Sequence, residues 1–152
     1  MAGFQTSTFI QSPPEAVFAF ISDPAVGVGL IDGILKCEKL TPGPAGVGTR
    51  YLETRLMGGK AAQAELVIRA YEPPRRVTVG SDAPGLVTNY HYTLEPEAGG
   101  THLHWECELK AEGLRSLMLP VLAGIMKLQD GDHLEKVKAH LEGASAGKER
   151  QP

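Results

Sequence analysis

Aromatic residues are scarce in this sequence, at 6% of 152 residues. That excludes the stacked aromatic platforms that hold single-stranded nucleic acid. A basic excess is missing too. Fifteen Lys and Arg stand against eighteen Asp and Glu, for a net charge of -3 and a pI of about 5.9. No nucleic-acid partner is expected from such a balance. No apolar run reaches the roughly 18 residues of a bilayer span, so no stable membrane insertion is expected. Met1-Ala2-Gly3-Phe4-Gln5-Thr6 lacks the basic start and apolar core of a signal peptide, which points to the cytoplasm. There are two cysteines, Cys37 and Cys107, far apart in the chain, and they read as free thiols. No Ser-centred nucleophile elbow and no complete glycine-rich phosphate loop occurs.

What is present is ordinary for one globular domain. Hydrophobic residues make up 42% and charged residues 22%. Residues 1–143 read as a single domain and residues 144–152 as a flexible C-terminal tail.

About seven β-type segments fill the first two thirds. Phe4 to Ile10 reads as a strand. Ser12-Pro13-Pro14-Glu15 has the spacing of a capping box, with Ser12 as N-cap. Val17, Phe18, Phe20 and Ile21 then give a short helix one apolar face, and Asp23-Pro24 opens a second short helical turn. Ile34 to Leu40, Arg50 to Met57 and Ala64 to Ala70 are strands, the last with Ala64, Leu66, Ile68 and Ala70 facing inward. Val77 and Val79 mark a further strand. The clearest hairpin sets Thr88, Tyr90, Tyr92 and Leu94 inward against Leu103, Trp105, Cys107 and Leu109. His102, His104, Glu106 and Glu108 alternate with that last set, as in a sheet wet on one side.

Leu114 to Leu141 reads as one long helix. Its first half is apolar on two adjacent stripes, through Leu117, Val121 and Ile125. That is wider than packing one face on a sheet requires, and it predicts the wall of a hydrophobic cavity.

Three stretches carry a family resemblance. Ile10 to Pro24 resembles an opening "I-x-A-P-x-E-x-V-F-x-x-I-x-D-P" motif. Tyr71-Glu72-Pro73-Pro74-Arg75-Arg76-Val77 resembles a "PPxRL" turn. Leu94-Glu95-Pro96 through Gly100-Thr101-His102-Leu103 resembles an "L-x-P…GT-x-L" hairpin. In this order they resemble the START/Bet v 1-like (SRPBCC) superfamily, in its polyketide cyclase/dehydrase and lipid-transport group. The resemblance implies an α+β helix-grip fold. A curved antiparallel sheet of about seven strands would surround a long C-terminal helix, with two short helices after the first strand. The motifs are structural, so they say little about activity.

The function expected is binding or transport of a hydrophobic small molecule, such as a lipid, quinone, polyketide or aromatic metabolite. Leu66, Ile68, Tyr90, Tyr92 and Trp105 would line the cavity from the sheet, and Leu117, Val121 and Ile125 from the helix. The small side chains of Ala62, Ala64 and Ala70 would leave it room. An alternative is a cyclase, aromatase or dehydratase using the same cavity, for which Tyr90, Tyr92, Thr54 and Arg55 are the polar candidates. A third is a protein-interaction module. No catalytic set is recognisable, and no cofactor is expected. His102 and His104 point the same way but lie on the solvent face, so no metal is expected there. Asp130, Asp132 and His133 read as an exposed helical face. The oligomeric state is left open.

Overall fold

The computed structural model describes residues 2–23, 34–57, 59–83, 86–111, 113, 117, 119–121 and 133–149. Strand β1 (Ala2–Ile10) leads into helix α1 (Pro14–Ile21). Six strands follow: β2 (Ile34–Lys39), β3 (Arg50–Met57), β4 (Lys60–Glu72), β5 (Arg76–Ala83), β6 (Leu86–Glu97) and β7 (Gly100–Ala111). Helix α2 (His133–Glu149) closes the described chain. The strands form one antiparallel sheet in the order β1-β7-β6-β5-β4-β3-β2, so β1 closes the meander by pairing with β7.

Alternation decides which face each side chain takes. On β7, Leu103, Trp105, Cys107 and Leu109 are buried. They share one core with Tyr92 and Leu94 of β6, Leu66 and Ile68 of β4, and Val77 and Val79 of β5. Val17, Phe18 and Ile21 of α1 and Leu134 and Val137 of α2 join the same core. Both helices therefore cover one face of the sheet, the inner face. His102, His104, Glu106 and Glu108 lie on the outer face, as alternation predicts.

The β1–α1 junction is held by close backbone approach. A Cβ on Gly100 would lie 2.1 Å from the Ile10 carbonyl oxygen, so only glycine fits there. Next to it, the buried Thr101 hydroxyl donates to the Ser12 carbonyl at 2.8 Å. The far end of α2 is tied to the same junction. The Gln11 N–H donates to Glu142 Oε2 at 2.9 Å, and Lys138 Nζ donates to the Phe9 carbonyl. The Gln11 N–H holds the Glu142 carboxyl below its ordinary pKa.

Several expectations need correction. The N-cap of α1 is Pro13, which has no side-chain acceptor; its carbonyl takes the first helical N–H groups, from Ala16 and Val17, so the helix begins one residue later than a Ser12 cap requires. On β4, a register shift between Ile68 and Ala70 breaks the alternation. Leu66 and Ile68 stay inward, but Tyr71 then packs on Phe18, ring centroids 5.3 Å apart. Ala70 is half-buried, and Ala62 and Ala64 are exposed. Helix α2 runs to Glu149, beyond the end expected at Leu141. Residues 119–121 are helical, in line with the predicted long helix, whose stretch from residue 122 to 132 lies outside the described residues. So do the second short helical turn after Asp23, Ile125, Asp130 and Asp132. Cys37 and Cys107 are both free thiols.

Candidate functional site

The inner face has an aromatic end. Tyr92 pairs in register with Trp105, Tyr90 with Cys107, and Phe4 of β1 with Cys107 from the other side. The Trp105 ring is thus bracketed by three others. Phe4 meets it edge-on at 5.2 Å, while Tyr90 and Tyr92 stack beside it at 6.1 and 6.2 Å. Trp105, Tyr92 and Phe4 are buried, and Tyr90 is half-buried. The Thr6 hydroxyl, opposite Trp105 on β1, is buried and has no hydrogen-bond partner among the described residues.

The same face has a polar end, and only part of it was foreseen. Tyr51 of β3 is buried in the core opposite Leu66. Glu53 and Arg55 follow at the two-residue period that keeps them on Tyr51's face. Arg55 Nε lies 3.2 Å from Glu53 Oε1, with 17% and 14% of the two side chains exposed. Their partners on β4 are Ala62 and Ala64. Both are exposed, so this end of β4 meets solvent beside the ion pair. Thr54, the other candidate on β3, points to the opposite face.

Cys37 of β2 is the register partner of Glu53. Burial pushes its thiol up to about 11, and the charges of Glu53, Asp23 and Glu38 push the same way. It is therefore a protonated thiol at neutral pH and a poor nucleophile. Burial also raises the Tyr51 hydroxyl to about 12, helped by Asp23, Cys37 and Tyr71. Asp23, just after α1, thus acts on both the Cys37 thiol and the Tyr51 hydroxyl.

Leu66, Ile68, Tyr92 and Trp105, all predicted liners, sit within the buried core of this face, with Tyr90 at its margin. Leu117 and Val121 stand elsewhere. They are 75% and 55% exposed, whereas Leu119 between them is buried. In a helix, positions two apart point to nearly opposite sides, at roughly 200°. Leu119 takes the inward direction, which turns Val121 outward.

The outer face carries a second constellation. His91 of β6 lies on the outer face, opposite Glu106. Its Nδ1 is 2.9 Å from Thr78 Oγ1, and its Nε2 is 3.8 Å from Glu108 Oε1. Ligand atoms of His91, Glu106 and Glu108 all lie within 4.8 Å of one another, a grouping able to hold a metal ion. The expected row on β7 is only part of it, because the histidine comes from the neighbouring strand. His102 and His104 stack on each other at 4.4 Å, and His102 faces Glu97 at 3.4 Å.

The family model described as "Polyketide cyclase / dehydrase and lipid transport" matches residues 1–142. The chain belongs to that family. Solved structures agree on the fold. The chain superposes on the crystal structure of Ara h 8.0201 with a TM-score of 0.72 at 18% identity, covering 93% of this chain and 98% of that one. TTHA0849 from Thermus thermophilus gives 0.75 at 16% identity, over 95% and 99% of the two chains. The di-domain ARO/CYC StfQ from the steffimycin biosynthetic pathway gives 0.74 at 12% identity, over 95% of this chain and 51% of that one. No curated protein matches the chain. This polyketide cyclase/dehydrase and lipid-transport family member thus has the helix-grip fold: seven antiparallel strands with a C-terminal helix packed on the sheet. No described helix is long and apolar enough to cross a membrane.

Proposed function

We propose that the chain binds a hydrophobic small molecule that carries one polar or acidic group, against the inner face of the sheet. One observation carries the reading. The aromatic end around Trp105 and the Glu53–Arg55 pair occupy the same face. An apolar body would dock at half-buried Tyr90, the margin of the cluster, and would gain contact with Tyr92, Trp105, Leu66 and Ile68 only as that packing opens to admit it, at roughly 25 cal/mol per Å² of apolar surface buried before the costs of binding. Arg55 would meet the polar group, since a guanidinium presents a planar fork to a carboxylate or carbonyl oxygen. From the helical side it is Leu119, not Leu117 or Val121, that faces this core.

The family and the fold support this class of ligand, and nothing in them selects a lipid, a quinone or a polyketide. A second reading is a cyclase or aromatase. It is favoured by the same ion pair, because Arg55 beside a ligand oxygen would stabilise negative charge developing there. The ARO/CYC fold neighbour supports it as an analogy of fold alone.

Native mass spectrometry of the gently purified chain, followed by solvent extraction, tests the proposal. A one-to-one apolar adduct that is lost in Trp105→Ala or Arg55→Ala supports it. Supplying the extracted compound back separates the readings: unchanged recovery indicates a carrier, and conversion indicates an enzyme. An adduct insensitive to both substitutions would place the ligand elsewhere.

A further inference from the structure

We propose that His91, Glu106 and Glu108 form a binding site for one divalent transition-metal ion on the outer face of the sheet. The site is independent of any ligand on the inner face.

Hydrogen-bond roles fix what His91 can offer. The His91 imidazole is fixed by the buried Thr78, whose Oγ1 lies 2.9 Å from Nδ1. With Nδ1–H donating to that oxygen, Nε2 presents a lone pair. It presents it to carboxylates, which also only accept. Glu108 Oε1 is 3.8 Å away, and a Glu106 oxygen belongs to the same group within 4.8 Å. In that tautomer three acceptor groups converge, an arrangement that suits a cation. A proton on Nε2 satisfies one contact; a metal ion satisfies all three.

The surroundings are built to hold the carboxylate. Asn89 is buried and donates from Nδ2 to Glu108 Oε1 at 3.1 Å. That bond leads the causes that hold the Glu108 carboxyl below its ordinary value. Lys110 Nζ also lies 3.5 Å from Glu108 Oε1, but its side chain is 55% exposed and can swing into water. All three ligand side chains are half-buried. Metal ligands are commonly oriented by partners of this kind.

Two of the three groups, His91 and Glu106, border a cleft of about 390 Å³ between β1, β7 and β6, whose lining includes Gln5, Thr6, Ser7, His104 and Trp105. It has room for water to complete the coordination. His104 stands in the same cleft as a candidate fourth, nitrogen ligand. One imidazole with two carboxylates suits Zn²⁺ and its transition-metal neighbours better than Mg²⁺ or Ca²⁺, which prefer all-oxygen sets.

The test is calorimetric titration of Zn²⁺ into the full chain, with Mg²⁺ as a control. One Zn²⁺ is expected to bind in the low micromolar range or tighter, and Mg²⁺ far more weakly. His91→Ala and Glu106→Gln should each weaken Zn²⁺ by about tenfold or more, and Glu106→Gln changes only a half-buried surface side chain. Thr78 is a positioning residue. Thr78→Val should weaken the ion by about tenfold, while Thr78→Ser, which keeps the hydroxyl, restores it. His102→Ala and Cys37→Ser should leave the affinity unchanged. Absence of saturable one-to-one binding would overturn the proposal. So would binding that survives His91→Ala and Glu106→Gln, or that is lost in His102→Ala or Cys37→Ser.

Discussion

Glu53 and Arg55 stand two residues apart on β3, 3.2 Å from Oε1 to Nε, on the face by which Tyr51 enters the core. Each charge is mostly removed from water, so each depends on the other. Arg55→Ala is expected to cost ~1–3 kcal/mol, because it removes the cation 3.2 Å from the half-buried Glu53 carboxylate. The double variant with Glu53→Ala should be less destabilised than the two single losses added, by at least about 0.5 kcal/mol. Urea unfolding of the four proteins measures this; simple additivity would show that the pair is not coupled.

Trp105 is the hinge of the aromatic end. Its ring touches Phe4, Tyr90 and Tyr92, and 1% of the residue is exposed. Trp105→Ala should cost ~3–5 kcal/mol, as large core truncations do. Trp105→Phe should cost clearly less. Denaturation midpoints followed by circular dichroism check the order, and equal losses would contradict it.

How legible was this in the sequence? The β6–β7 hairpin was fully so. Tyr90, Tyr92 and Trp105 alternate with polar residues, so their inward direction follows from period alone. The polar end was not, because β3 runs against the usual polarity. Glu53 and Arg55 share the face of buried Tyr51, while Leu56 on the other face is 44% exposed. A hydrophobic pattern would turn that strand over. The outer-face cluster depends on register. Reading along β7 finds His102, His104, Glu106 and Glu108, but only strand pairing sets His91 opposite Glu106. The Ser12 cap is not made because the helix begins one residue later, with Pro13 at the N-cap position.

Alkaline pH should weaken the fold through Cys37 and Tyr51. Both pKa values are raised on folding, from 9.0 to about 11 and from 10.0 to about 12. Above the unfolded values, the native chain retains protons that the unfolded chain has lost. Their contribution is therefore complete below about pH 9, declines above it, and is gone once pH passes the folded values. The double variant Cys37→Ser, Tyr51→Phe should show a flatter decline in urea stability over that range. A decline as steep as that of the parent chain would contradict the assignment. Thiol labelling of native Cys37 should likewise accelerate only toward pH 11.

Gly100 and Gly80 separate two kinds of crowding. A Cβ at Gly100 meets the Ile10 carbonyl oxygen at 2.1 Å, which is backbone and must move. At Gly80 it meets Arg69 Nε at 1.9 Å, the end of a side chain that can swing away at the expense of its 2.6 Å pair with Asp82. Gly100→Ala should therefore cost ~2–3 kcal/mol, and Gly80→Ala about 1 kcal/mol or less. Thermal melts of the two variants decide it; the reverse order would show that the β1–β7 end is looser than drawn.

The central claim is that an apolar molecule with one polar or acidic group sits on the inner face. Its most direct test is a two-dimensional NMR titration of the labelled chain with 2-naphthoic acid, a flat apolar body bearing one carboxylate. The account predicts saturable shifts at the Trp105 indole N–H and at the amides of Tyr90 and Tyr92, with weaker binding in Arg55→Ala. Absent or unsaturable shifts at these positions, or shifts confined to the outer face around His91, would contradict it.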